Sequence, residues 1–128
     1  MAEEKDVCCV SGASKTLIFA CSGASNVGQI TNRLMIELEK MGIGNGYCLA
    51  GLGADLSGFV ESARAVNTIL LDGCPIGCGK KTFERHGINP TRHIVVTELG
   101  IEKNHDFSKI EAECQRALQI IQERKLIG

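Results

Sequence analysis

The residues best suited to chemistry in this sequence are its seven cysteines. Cys21, Cys74 and Cys78 lie in short segments rich in glycine and small residues, and Cys48 directly precedes another such segment. An odd number of cysteines, in a chain whose first residues show no secretory pattern, is poorly explained by a disulfide framework. Reduced thiols that bind a metal ion or take part in thiol chemistry explain these residues better.

One pair of these cysteines has a spacing that predicts local geometry. Cys74 and Cys78 are four residues apart with Pro75 between them, and proline is favoured at the first position of a helix. We therefore expect one helical turn to place both sulfurs on the same face. Free N–H groups at that helix start, with Lys80 and Lys81 close behind, would favour thiolates, the form that binds zinc.

Hydrophobic patterning indicates which elements carry these cysteines. Short apolar runs predict four strands at residues 16–20, 47–50, 67–71 and 92–97. Apolar residues at helical spacing predict a helix that starts at Ser25 or Asn26 and stops at Gly42. Three more helices are predicted: one around residues 56–65, a short one from about residue 75 to 86, and a final one after the capping box formed by Ser108 and Glu111.

The alternation of strands and helices predicts an α/β fold: a single small Rossmann-like or flavodoxin-like domain with a mainly parallel sheet of about four strands flanked by helices. This domain is expected to cover residues 15–128, after a flexible N-terminal arm at residues 1–14, and residues 99–107 are expected to form a loop. Ligands of open parallel sheets bind beside the carboxyl ends of the strands. If the first strand lies next to the third, this edge gathers four thiols, those of Cys21, Cys48, Cys74 and Cys78.

Composition narrows the classes of partner. The formal net charge of −1 provides no positive field for nucleic acid or for an anionic membrane. No stretch of about 18 apolar residues is present, so we expect a cytoplasmic protein without a membrane anchor. A small anion is the one partner that the sequence indicates, either between Ser22 and Gly28 or beside Lys80 and Lys81.

Four segments of the chain together resemble the DGC family, which is named for the tripeptide found here as Asp72-Gly73-Cys74. These segments are CSGASNVGQI (21–30), CLAGLG (48–53), LDGCPIGCGKK (71–81) and VVTELGIEKN (95–104). The resemblance covers roughly residues 16–107 and implies a small α/β protein whose cysteines bind zinc. Carried onto this sequence, the implied metal ligands are Cys21, Cys48, Cys74 and Cys78. The family name implies no reaction, and no enzymatic activity is assigned.

Alternatives to this interpretation use the same thiols. Four cysteines can also hold an iron-sulfur cluster for electron transfer, or can act as a thiol-based redox centre. Some relatives have a cysteine where this chain has Ala24, so the ligand set here is four at most. Loss of one more ligand would leave a three-coordinate site that needs water, Cys8, Cys9 or a histidine. A thiol phosphatase would need an arginine at the position of Val27, and a dinucleotide site would need a glycine at the position of Leu56.

The remaining candidate ligands are expected to have structural positions. Cys114 lies on the apolar face of the final helix, where a free cysteine usually behaves as a small buried hydrophobe. His86, His93 and His105 are scattered along the chain, and we expect each to be a surface or helix-end residue rather than a metal ligand.

Overall fold

A parallel sheet of four strands lies at the centre of the computed structural model, which describes residues 15–127. The strands are β1 (Thr16–Ala20), β2 (Asn45–Tyr47), β3 (Asn67–Asp72) and β4 (Arg92–Val95), and their order across the sheet is β2-β1-β3-β4. The predicted α/β class is therefore confirmed. So is the adjacency of the first and third strands on which the gathering of the thiols depended. The predicted arm at residues 1–14, with Cys8 and Cys9, lies outside the described residues.

Helices cover both faces of this sheet, as the burial of strand residues on both sides requires. One face packs against α1 (Asn26–Lys40) and α5 (Ile110–Glu123). The other face packs against three shorter helices, α2 (Leu49–Gly53), α3 (Ser57–Ala65) and α4 (Cys78–Arg85). None of the helices in the described part of the chain is long and apolar enough to cross a membrane.

Helix α1 begins and ends where the sequence predicts. The Ser25 hydroxyl caps the helix by accepting a hydrogen bond from the Gly28 N–H at 3.3 Å. The chain leaves the helix through Gly42, whose φ of 79° is a left-handed conformation that glycine adopts without steric cost. These local signals suffice because both ends of the helix are set by residues within a few positions of them.

The predicted second and fourth strands are only partly correct. The second strand runs from Asn45 to Tyr47 rather than over residues 47–50, and Leu49 already begins α2. Gly46 belongs to this strand through its pairing with Ile18 of β1, and a Cβ added to Gly46 would lie 2.8 Å from the Met35 sulfur. The fourth strand ends at Val95 rather than at residue 97, and a 3-10 helix (Val96–Leu99) follows it.

The starts of the last two helices also differ from the prediction. Helix α4 begins at Cys78 instead of Pro75, because the intervening residues form a turn in which the Gly77 N–H donates to the Cys74 carbonyl at 3.2 Å. The predicted capping box at Ser108 is wrong as well. Asp106 is the cap, accepting from the Ser108 N–H at 3.1 Å, and a 3-10 turn (Phe107–Lys109) precedes α5.

Cys114 is a core residue, as the sequence predicts, with 2% of its surface exposed. Burial raises the pKa of its thiol to about 11, and the negative charges of Glu37 and Glu111 act in the same direction. The thiol therefore stays protonated in the folded protein at neutral pH.

Two measurements test this state of Cys114. We expect its thiol to react with a chromogenic disulfide reagent only when the protein unfolds. Between about pH 9 and about pH 11 the unfolded chain loses the Cys114 proton while the folded chain keeps it, so the stability from this group falls as pH rises. Urea unfolding of the wild type should therefore lose more stability over this interval than Cys114→Ala does. Equal pH dependence of the two proteins contradicts the prediction.

Candidate thiol site

The four candidate cysteines all lie at the carboxyl edge of the sheet. Cys21 directly follows β1, Cys48 directly follows β2, Cys74 comes two residues after β3, and Cys78 is the first residue of α4. Because β2, β1 and β3 are adjacent and parallel, their carboxyl ends open on the same edge. The topology thus brings segments that are distant in sequence to one side of the molecule.

Three of these cysteines line one cleft of about 280 Å³, which we call the thiol cleft. Cys21, Cys74 and Cys78 share it with the side chains of Lys103 and His105. Cys48 does not line the thiol cleft. It lines a neighbouring cleft of about 590 Å³ in which Cys21 also takes part. Cys21 therefore stands between Cys48 and the other two thiols.

The Cys21 sulfur is held by the neighbouring strand. The Cys21 N–H continues the pairing of β1 with β3 by donating to the Leu71 carbonyl at 3.0 Å. Its sulfur then accepts a hydrogen bond from the Gly73 N–H at 3.3 Å and lies 3.6 Å from the Thr31 hydroxyl of α1. These contacts fix the sulfur at the junction of two strands and a helix.

The Cys74 sulfur has a positively charged neighbour. The Lys103 ammonium donates to it at 3.4 Å, from a loop that reaches the cleft from the far end of the chain. Asn26, which is fully buried, holds this loop on both sides of Lys103: its amide donates to the Glu102 carbonyl at 2.9 Å and accepts from the Asn104 N–H at 2.6 Å. An ammonium group at this distance stabilises a negative charge on sulfur.

Asp72 has a role that the sequence reasoning missed. Its carboxylate is 1% exposed and accepts hydrogen bonds from the N–H groups of Gly79 at 2.7 Å and Lys80 at 3.1 Å. It also contacts the His93 ring nitrogen at 2.8 Å. The N–H groups expected to face Cys74 and Cys78 are therefore bound to Asp72, which corrects that expectation. The sequence did contain a signal for this role, because Asp72 is an acidic residue at the end of a strand and Gly79 lies in the first turn of the next helix.

The three histidines occupy different environments. His86 ends α4, as expected, and its ring nitrogen contacts the Leu52 carbonyl at 2.8 Å. His93 touches the buried carboxylate of Asp72. His105 is exposed at the thiol cleft, where its ring packs edge-on against Phe107. No local pattern in the sequence connects the latter two to the thiol edge.

The types of side chain at this site favour metal binding, whereas the spacing between those side chains does not. Thiol sulfurs beside an ammonium group fit zinc or an iron-sulfur cluster, because both take thiolates. Within residues 15–127, however, no group of three or more His, Cys, Asp or Glu side chains is close enough to hold a metal ion. Metal binding would therefore require the cysteines to move from the positions described.

Two comparisons with known proteins each match most of this chain. The sequence model of the DGC domain matches residues 17–121, which include the four candidate cysteines. A protein of Pseudomonas aeruginosa described as "Anaerobic and virulence modulator AnvM" is 39% identical over 110 residues, which cover 80% of this chain and 84% of that protein. No solved structure matches this chain.

Proposed function

Since the chain belongs to the DGC-domain family, we propose that it is a regulatory protein whose working site is the group of thiols at the carboxyl edge of the sheet, and that this site binds one zinc ion. The regulatory part of the proposal rests on the relative described as an "Anaerobic and virulence modulator". The zinc part rests on the chemistry of the cleft.

The observation that carries the zinc proposal is that Cys21, Cys74 and Cys78 line a single cleft. Zinc takes four ligands tetrahedrally, with sulfurs at about 2.3 Å, and a closed set of thiolates is typical of a structural site. Cys48 is the fourth ligand in this proposal, because it lines the adjoining cleft together with Cys21. A bound zinc ion would tie together the segments that follow three strands.

The charges around the cleft favour such a site. Four thiolates and one zinc ion carry a net charge of about −2, which is costly to place at a half-buried position without compensation. Lys103 contributes a positive charge at the Cys74 sulfur, and His105 can contribute another when it is protonated. Both side chains belong to the loop that Asn26 anchors, so they are in place before any ligand binds.

Elemental analysis of protein purified under reducing conditions, without added metal, tests the proposal. We expect one zinc per chain in the wild type and a loss of most of it in Cys74→Ser. Cys114→Ala is the matched control and should keep the metal, because Cys114 is buried in the core between α1 and α5. Metal-free wild-type protein, or equal zinc in both variants, contradicts the proposal.

The same preparation distinguishes the alternative chemistry. An iron-sulfur cluster on these thiols would give a brown protein containing iron and acid-labile sulfide, whereas a zinc protein is colourless. Cys48→Ser separates the two clefts: loss of metal in this variant supports Cys48 as the fourth ligand. Full retention shows that Cys21, Cys74 and Cys78 are sufficient with another donor.

A further inference from the structure

Two cysteines of the thiol cleft are brought together by the pairing of β1 with β3. The register places Ala20 opposite Leu71, and the next hydrogen bond runs from the Cys21 N–H to the Leu71 carbonyl. The Cys21 sulfur is then 3.3 Å from the Gly73 nitrogen, and Gly73 directly precedes Cys74. The Cys21 sulfur thus contacts the residue that directly precedes Cys74.

We propose that Cys21 and Cys74 are a redox pair that forms a reversible disulfide when the protein meets hydrogen peroxide or an alkyl hydroperoxide. The inference rests on the proposed function in that it concerns the same thiols. In the oxidised state, a covalent bond joins Cys21 to Cys74 within the thiol cleft. These two of the four proposed metal ligands can then no longer bind zinc. Oxidation and zinc binding then exclude each other.

The reaction proceeds in two steps with hydrogen peroxide as the oxidant. The Cys74 thiolate attacks one peroxide oxygen, the O–O bond breaks, and the hydroxide that leaves takes up a proton to become water, so that Cys74 carries a sulfenic acid. The Cys21 sulfur then attacks the Cys74 sulfur, the S–O bond breaks, and a second water leaves as the S–S bond forms. The two thiols lose two electrons, and one peroxide is reduced to two waters.

The contacts of each sulfur assign these roles. Cys74 is the attacking residue because the Lys103 ammonium lies 3.4 Å from its sulfur and stabilises the thiolate that reacts with the peroxide. Cys21 is the resolving residue because the Gly73 N–H holds its sulfur beside the backbone that leads into Cys74. The 280 Å³ cleft that both residues line leaves room for a small peroxide.

The other cysteines at this edge are less well placed to resolve the sulfenic acid. Cys78 is fixed at the start of α4, where Asp72 binds the next two N–H groups of the helix. Cys48 opens into the neighbouring cleft.

The disulfide requires a local change in the backbone that carries Cys74. Disulfides join residues whose Cα atoms are about 4.4–6.8 Å apart. Continuing the register by one residue puts Cys21 opposite Asp72, and Cys74 follows two residues later in a bend. Bond formation therefore requires a change in this bend rather than a rearrangement of the sheet.

Peptide mapping tests the proposal on the full-length chain. Reduced protein, freed of metal with a chelator, is treated with about one equivalent of hydrogen peroxide, alkylated and digested with trypsin. The cleavage pattern separates the thiols, with Cys21 in residues 16–33, Cys48 in residues 41–64, and Cys74 together with Cys78 in residues 65–80. We expect one cross-linked species that joins residues 16–33 to residues 65–80 and disappears when a dithiol reductant is added.

Variants assign the bond within this species. Cys78→Ser and Cys48→Ser should still form it, whereas Cys21→Ser and Cys74→Ser should abolish it. A bond inside residues 65–80, a bond to residues 41–64 or to the segment that carries Cys8 and Cys9, or full alkylation of all thiols after peroxide would each overturn the proposal. Circular dichroism of every variant shows whether it is folded before oxidation.

The experiments distinguish failure of the zinc proposal from failure of the disulfide proposal. If the reduced protein binds no zinc but the Cys21–Cys74 bond forms, the proposed function fails and the redox pair stands. If the reduced protein binds zinc and peroxide produces no such bond in the metal-free form, the redox pair is wrong and the metal site stands. When both hold, peroxide added to the zinc-loaded protein releases the metal to a colorimetric chelator.

Discussion

Replacing Asp72 with alanine is expected to lower the free energy of unfolding by about 3 kcal/mol. The substitution leaves the N–H groups of Gly79 and Lys80 without their acceptor, and His93 without its contact. An unsatisfied buried donor costs about 1–3 kcal/mol, and hydrogen bonds to a charged group are the strong ones. His93 is partly exposed and can turn to water, so most of the loss comes from the two N–H groups at the start of α4. Urea unfolding followed by circular dichroism measures the change.

Asp106→Ala is the matched control for this prediction. Asp106 also accepts a backbone hydrogen bond at the start of a helical segment, from the Ser108 N–H, but it is fully exposed. Its loss should cost clearly less stability than the loss of Asp72, because water can replace an exposed cap. A loss of stability in Asp72→Ala no larger than that in Asp106→Ala would show that the buried carboxylate does not organise this edge of the sheet.

Alanine at position 28 is the second substitution with a large expected effect. A Cβ added to Gly28 would lie 2.6 Å from the Cα and the N of Gly23, which are backbone atoms that cannot swing aside. The loop that follows Cys21 would have to move away from α1. Such overpacking costs about 1–3 kcal/mol, and occasionally more, so we expect a net loss of about 2 kcal/mol after the better helix propensity of alanine is counted.

Gly53→Ala separates this clash from the general effect of alanine in a helix. Gly53 ends α2, and no atom outside its chain neighbours and the helix's own backbone lies within 4 Å of the Cβ that the substitution adds. Its stability should be unchanged or increased by up to about 1 kcal/mol. Urea unfolding checks both proteins, and faster alkylation of Cys21 in Gly28→Ala would report the displaced loop. Gly28→Ala with wild-type stability would contradict the close approach of the two backbones.

Elements whose signals lie within a few residues were predicted well from the sequence. The apolar run of β1 and the spacing of apolar residues in α1 follow directly from what those elements must bury. The Ser25 cap and the Gly42 stop were equally local. The burial of Cys114 followed from its place on the apolar face of α5.

Elements that depend on distant residues were predicted less well. Strand β2 contains Gly46, against which the Met35 side chain from α1 packs, so its composition does not look like that of a strand. Helix α4 starts late because a turn follows Pro75, and because Asp72 at the end of β3 binds the N–H groups of Gly79 and Lys80. A proline-based helix start considers only the residues beside the proline and cannot detect this competing acceptor.

The sequence by itself determined which residue types stand at the ends of the strands, because the alternation of apolar runs and glycine-rich turns is a local property of the chain. Only the tertiary structure decided which of those residues meet. The order β2-β1-β3-β4 sets Cys21 beside the segment that carries Cys74 and leaves Cys48 in a different cleft. It also brings Lys103 from the other end of the sequence to the Cys74 sulfur. The physical reason is that strand order and loop anchoring depend on contacts between residues far apart in the chain, which no short window of sequence contains.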